Sequence, residues 1–123
     1  MYKLSQMVRE KNILLVEDDF EIGKWLEKRI LELKNIKSLC WKTNIKEASV
    51  AIYVDNPDII ILDLKLPDGN GIDLLKEIKR KNNKCKVFIF SVNNELRKIC
   101  LRLGADDFFD KTMDSEKLIE SLK

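Results

Sequence analysis

A chain of 123 residues has the length of one domain and is long enough to bury a core of its own. Its 45% hydrophobic and 36% charged residues fit a globular domain and exclude both disorder and a membrane-spanning protein. Lys and Arg number 23 against 21 Asp and Glu, and a net charge of +2 with no dominant basic block gives no electrostatic case for direct nucleic-acid contact.

In chain order, apolar runs alternate with stretches of helical period. "NILLV" (12–16) reads as a short, fully apolar strand. Residues 19–34 place Ile22, Leu26, Ile30 and Leu33 on one face of an amphipathic helix. "IKSLCW" (36–41) is a more polar strand, suited to an edge. Ala48, Ala51, Ile52 and Val54 mark a second helix over 46–54, closed by Asp55-Asn56-Pro57. "DIIILD" (58–63) is the third strand, and "PDGNG" (67–71) is a turn with no chemistry of its own. A third helix buries Ile72, Leu75 and Ile78 and points Lys76, Lys79, Arg80 and Lys81 outward; the basic run to Lys84 is a solvated face. "CKVFIFS" (85–91) is the fourth strand. Leu96, Ile99, Cys100 and Leu103 share one face of a fourth helix, with Gly104 at its C-cap. "DDFF" (106–109) is a fifth strand, and "SEKLIESLK" (115–123) starts a last helix. Strands alternating with helices predict right-handed crossovers and a parallel sheet covered on both faces.

Cys40, Cys85 and Cys100 are odd in number and widely spaced, and there is no histidine, so neither a zinc site nor a disulfide framework is expected. "MYKLSQMVREK" lacks the apolar stretch of a signal peptide, and no run approaches the ~20 apolar residues of a membrane span. The expected setting is the cytoplasm, without membrane contact.

Ligands of open parallel α/β sheets sit beyond the carboxyl ends of the strands. Strand one ends in Glu17, Asp18 and Asp19, strand three in Asp63, strand four in Ser91, and strand five leads to Lys111. Strand two, ending in Trp41-Lys42-Thr43, carries no comparable cluster, and Trp25 and Trp41 read as packing residues. Glu17, Asp18 and Asp63 are all ionised at neutral pH if unperturbed. Two such charges ~4 Å apart repel by roughly 4 kcal/mol at an effective dielectric of ~20. The cluster must hold a proton or bind a cation, and hard oxygen donors favour Mg²⁺ or Mn²⁺. Acids, a hard cation, a hydroxyl and a lysine together suit a phosphoryl group. Glu17-Asp18-Asp19 also fits a helix N-terminus, and Asp19 is assigned that capping role.

The motifs "ILLVEDD", "IIILDLKLPDGNG", "VFIFS" and "GADDFFDK", in that order, resemble the receiver domain of a bacterial two-component response regulator. The resemblance runs from about Asn12 to Lys123, leaving residues 1–11 as an N-terminal extension. It implies a five-stranded parallel sheet in the order 2-1-3-4-5 with helices on both faces. By that resemblance Asp63 is the phosphoacceptor, taking its phosphoryl group from a phosphohistidine of a sensor kinase or phosphotransfer protein. Asp18 and Asp63 bind Mg²⁺ directly, Glu17 binds it through water, and Lys65 contributes its backbone carbonyl. Lys111 pairs with the phosphoryl group, Ser91 is the switch hydroxyl and Phe108 the switch aromatic. Phe108 and Phe109 alternate across a strand, so one of them is plain core. The fourth-helix, fifth-strand, fifth-helix face is the surface implied for partners and a homodimer. No enzymatic role follows beyond self-catalysed phosphoryl transfer and autodephosphorylation.

Three positions depart from the family pattern. Thr112 stands where proline, preceded by a cis bond, normally follows the lysine. A cis bond before a non-proline residue costs ~3 kcal/mol, so a trans bond or an altered loop is expected. Val92 replaces a small residue after the switch hydroxyl, and Lys65 stands within possible reach of the phosphoryl group. The alternative function is a degenerate receiver acting as a phosphorylation-independent interaction module, which requires a broken acidic set. A phosphatase with an aspartyl nucleophile wants a second acid where Lys65 stands, and a flavin carrier wants a Ser/Thr-rich phosphate loop after strand one.

Overall fold

The computed structural model describes residues 10–81 and 84–123. Most of the expected N-terminal extension (1–9) and two positions of the basic run (82–83) lie outside the described residues. Strands and helices alternate as β1 (Lys11–Val16), α1 (Phe20–Leu31), β2 (Ile36–Lys42), α2 (Ile45–Asp55), β3 (Ile59–Leu62), α3 (Gly71–Lys81), β4 (Lys86–Ser91), α4 (Arg97–Arg102), β5 (Asp107–Asp110) and α5 (Ser115–Ser121). A 3₁₀ turn, Asn94–Leu96, leads into α4, and a two-residue hairpin, Lys65–Leu66 against Gly69–Asn70, follows β3. The strands are parallel and lie in the order β2-β1-β3-β4-β5, as expected, with β2 at one edge.

Alternation along the strands divides the core into two layers. Leu14, Val16, Ile60, Leu62, Val87, Ile89 and Phe108 pack with residues of α2, α3 and α4. Ile13, Leu15, Ile59, Ile61, Phe88, Phe90 and Phe109 pack with residues of α1 and α5. All four residues of β3 are buried because both of its faces are covered, which is why that strand reads as an unbroken apolar run.

Helix ends are satisfied by side chains and turns. Asp19 caps α1, its carboxylate accepting the Ile22 N–H at 3.0 Å, as expected. Asn44 caps α2 by accepting the Glu47 N–H at 2.8 Å. Asp68, in the turn expected to have no chemistry, accepts the Ile45 and Lys46 N–H groups at 2.8 and 3.0 Å and so fastens that turn to the start of α2. At the end of α4, Gly104 takes a positive φ of 107°, its N–H reaches Leu101 O, and the Ala105 N–H reaches Cys100 O. That is a Schellman closure, in which only glycine adopts the turn without strain.

Three details differ from the expectations. Lys79 does not point outward: its stem passes Gly104, and Nζ donates to Cys85 O at 2.8 Å and to Asp106 Oδ2 at 2.9 Å. A long aliphatic stem covers apolar surface while its charge finds acceptors across the fold. Ile99 is 45% exposed: the short α4 buries only Cys100, and Leu96 and Leu103, just beyond its ends, are half-buried against the same core layer. Val54 is also exposed, the buried face of α2 being carried by Ala48 and Ala51. The three cysteines are free thiols; Cys85 and Cys100 are buried, Cys40 half-buried, and burial pushes the Cys85 thiol up to about 11. Among the described residues no helix is long and apolar enough to cross a membrane.

Candidate functional site

The acidic residues converge because three neighbouring strands end at one level. Glu17 follows β1 and is held on both sides by the edge strand: its N–H donates to Lys42 O at 3.0 Å, and Trp41 Nε1 donates to its carbonyl at 2.8 Å. The Asp63 N–H donates to Val16 O at 3.0 Å, which seats Asp63 beside the end of β1. Glu17 and Asp63 are buried and Asp18 is exposed, and one carboxylate oxygen from each lies within 4.8 Å of the others. The Asp19 N–H donates to Glu17 Oε2 at 3.1 Å, and the Lys65 N–H approaches Asp63 Oδ1 at 3.4 Å.

Lys111 brings the compensating charge. Its Nζ lies 2.8 Å from Glu17 Oε1 and 3.0 Å from Asp63 Oδ2, bridging the two buried acids. Burial pushes the Glu17 carboxyl up to about 7, with the Asp63 charge adding to the rise and the Lys111 hydrogen bond opposing it. Burial alone lowers the Lys111 pKa, but its bond to Glu17 and the charges of Glu17 and Asp63 outweigh that and hold it above the ordinary lysine value. Three acids faced by one ammonium leave a deficit of positive charge. The donor set is all oxygen, without sulfur or imidazole, and suits a small hard divalent cation.

The remaining expected residues surround this pocket. Ser91 is buried at the end of β4, where its Oγ accepts the Asn93 N–H at 3.0 Å. Phe108 is buried in the layer of α2 to α4, with the Arg97 guanidinium 5.0 Å from its ring centre. Phe109 faces the opposite layer and meets Phe88 edge-on at 5.7 Å. The Lys65 side chain is exposed, as is that of Val92. No cis peptide bond occurs among the described residues, so the Lys111–Thr112 bond is trans, as expected.

Two contributors escaped the sequence reading. Trp41 packs as expected, its ring filling the space over Gly23, where a Cβ would stand 1.9 Å from Cζ2, but its indole N–H also holds the Glu17 carbonyl. Asp110, between Phe109 and Lys111, is buried, and its Oδ1 accepts the Thr112 N–H at 2.7 Å and the Thr112 hydroxyl at 2.6 Å. Asn94 Nδ2 donates to its Oδ2, and the Asp110 N–H donates to Asp114 Oδ2 at 3.0 Å. An Asp two residues before a Thr is a local turn signal and could have been read as one. The bond to Asn94 spans 16 positions and leaves no such trace.

The family model of the response regulator receiver domain matches residues 13–123. CpxR of Klebsiella pneumoniae, a transcriptional regulatory protein, is 31% identical over 112 residues, covering 90% of this chain and 47% of the relative. RssB of Serratia marcescens, a swarming motility regulation protein, is 35% identical over 114 residues, covering 91% of this chain and 51% of the relative. The chain thus spans about half the length of these curated relatives. Among solved structures, the receiver domain of the Francisella response regulator 1452 superposes with a TM-score of 0.83 at 28% identity, covering 92% of this chain and 93% of that one. The non-phosphorylated HemR receiver domain of Leptospira biflexa does so with a TM-score of 0.82 at 31% identity, covering 92% and 91%. On sequence and fold together, the chain belongs to the response regulator receiver domains, the phosphorylation-controlled signalling modules of two-component systems.

Proposed function

We propose that Asp63 accepts a phosphoryl group from a phosphohistidine of a sensor histidine kinase or phosphotransfer protein, in a Mg²⁺-dependent reaction. The observation that carries this reading is the convergence of Glu17, Asp18 and Asp63 within 4.8 Å, with Lys111 Nζ bonded to two of them. One Asp63 carboxylate oxygen forms the new bond to phosphorus as the donor's N–P bond breaks, and the released imidazole nitrogen takes up a proton. Carboxylate nucleophiles that become acyl phosphates are an established form of covalent catalysis. Asp18, Asp63, the Lys65 carbonyl and, through water, Glu17 would hold the cation, whose chemistry is to neutralise charge on the transferring oxygens. Lys111 is positioned to remain as the fixed cation on the opposite side.

The acyl phosphate brings roughly −2 charge and three strong acceptors into the pocket. Ser91, now bonded to the Asn93 N–H, then turns its hydroxyl towards the phosphoryl oxygens, and Phe108 repacks beside it. This shifts the α4–β5–α5 face, the surface proposed for partners and for a homodimer. A swing from 1:99 to 99:1 between two arrangements needs about 5.5 kcal/mol, within reach of a few charge-assisted hydrogen bonds. Catalysis is confined to the chain's own phosphorylation and autodephosphorylation, and the proposed setting is the cytoplasm.

The test is intact mass after incubation with acetyl phosphate and Mg²⁺. The expected result is one added phosphoryl group, lost in Asp63→Asn and without Mg²⁺. No adduct in the wild-type chain, and no binding of beryllofluoride, would reject phosphorylation and leave the interaction module as the reading.

A further inference from the structure

Asp110 is a buried carboxylate that the phosphoryl chemistry does not use. Both of its oxygens accept from neutral donors, Thr112 N–H and Oγ1 on Oδ1 and Asn94 Nδ2 on Oδ2, and the Arg97 charge also favours the ionised form. The Thr112 bonds, hydroxyl first and N–H second, hold its carboxyl below the usual range, so it is a strong acceptor at neutral pH. An aspartate that accepts the N–H two residues on closes a turn and fixes the residue between. Here that residue is Lys111. Its own N–H is tied on the other side to Ser91 O at 3.0 Å, and the Asp110 N–H is tied to Asp114. Lysine carries its charge on a flexible four-carbon stem. The ammonium can sit 2.8 Å from Glu17 and 3.0 Å from Asp63 reproducibly only if the backbone beneath that stem is held.

We propose that Asp110 is a positioning residue for Lys111: its carboxylate closes the Asp110–Thr112 turn, aims the ammonium at Glu17 and Asp63, and through Asn94 ties that aim to the turn entering α4. The inference rests on the reading of Asp63 as phosphoacceptor. In this chain the bonds from Thr112 to Asp110 fix the backbone after the lysine without a proline ring. The link to Asn94 means that the turn entering α4 cannot move away without loosening the lysine.

The experiment compares wild type, Asp110→Ala, Asp110→Asn and Thr112→Val in two measurements. One is the rate of phosphorylation by acetyl phosphate with Mg²⁺, followed by intact mass. The other is the NMR resonance of the Lys111 ammonium, assigned by its loss in Lys111→Arg. Asp110→Ala is expected to slow phosphorylation by roughly ten- to a hundredfold, the scale of a displacement of about 1 Å in a reacting group, and to move the ammonium signal towards that of exposed lysines. Asp110→Asn keeps Oδ1 as the acceptor for Thr112 and, with the Asn94 amide turned to present its oxygen to the new NH₂, recovers most of both. Wild-type rate and signal in Asp110→Ala overturn the inference, as does an Asn variant as impaired as the Ala variant. Should Asp110→Ala not fold, Thr112→Val decides: a slowed rate with a moved signal supports the inference, and neither change overturns it. A wild-type chain that takes no phosphoryl group rejects the functional reading alone, and the ammonium signal still decides the positioning.

Discussion

Two acids end two strands of one sheet, equally buried and opposite in circumstance. Asp63, after β3, faces Glu17 and Asp18, with Lys111 the one cation among the described residues that bridges it to Glu17. Asp110, at the end of β5, faces neutral donors on both oxygens. The first environment pushes a carboxyl, Glu17, up to about 7; the second holds the Asp110 carboxyl low. Burial alone therefore does not distinguish the acid proposed to react from the acid proposed to position. What distinguishes them is whether the surroundings satisfy the charge or leave it in deficit, since unsatisfied buried groups are costly and persist where chemistry needs them.

Substitutions at the two acids should pull function and stability in opposite directions. Asp63→Asn is expected to abolish the phosphoryl adduct while raising the melting temperature by roughly 2–5 °C, because it removes one of three crowded charges. A fall in melting temperature would show that the pocket is balanced after all. Lys111→Ala should slow phosphorylation by acetyl phosphate about a hundredfold or more, the scale of losing a fixed charge-stabilising group. The same variant should bind Mg²⁺ more tightly in titration calorimetry, since a competing cation has gone. Gly23→Ala drives a methyl into the Trp41 ring and should cost roughly 1–3 kcal/mol in urea denaturation, the usual penalty of overpacking. It should weaken Mg²⁺ binding as well, because Trp41 holds the Glu17 carbonyl. Smallest is the acid response of Asp110. Its lowered pKa contributes stability that is full above the unfolded value of about 3.9 and is lost as pH falls through the folded value. Asp110→Asn should therefore flatten the decline in stability below about pH 4, and an unchanged decline would mean that other carboxylates govern it.

The strands were legible because both faces of the sheet are covered, so β3 is apolar throughout and β1 and β4 carry unbroken apolar runs over residues 13–16 and 87–90. The acid pocket was legible because strand ends in a parallel sheet fall at one level, and residues adjacent to them must meet. What stayed hidden depends on partners far apart in the chain. Lys79 looks like any helix-surface lysine until Asp106, 27 positions on, comes within 2.9 Å. Asp110 carries no sequence signal of its burial, which depends on Asn94, 16 positions away, donating to it. Trp41 looks like filler because its indole N–H bonds to a backbone carbonyl, a group every residue carries. Asp68 likewise reads as turn chemistry, and only the fold places it at the start of α2.

The Trp41 contact also gives the molecule an optical probe of its own site. The indole is bonded to the Glu17 carbonyl and lies 5.8 Å from the Phe20 ring, so a change of charge around Glu17 alters the field on its excited state. The second tryptophan, Trp25, lies part-exposed along α1 with Arg29 stacked 5.1 Å from its ring. With Trp25 replaced by Phe, Trp41 would be the one indole left, and the proposed cation loading and phosphorylation should change its emission without a label.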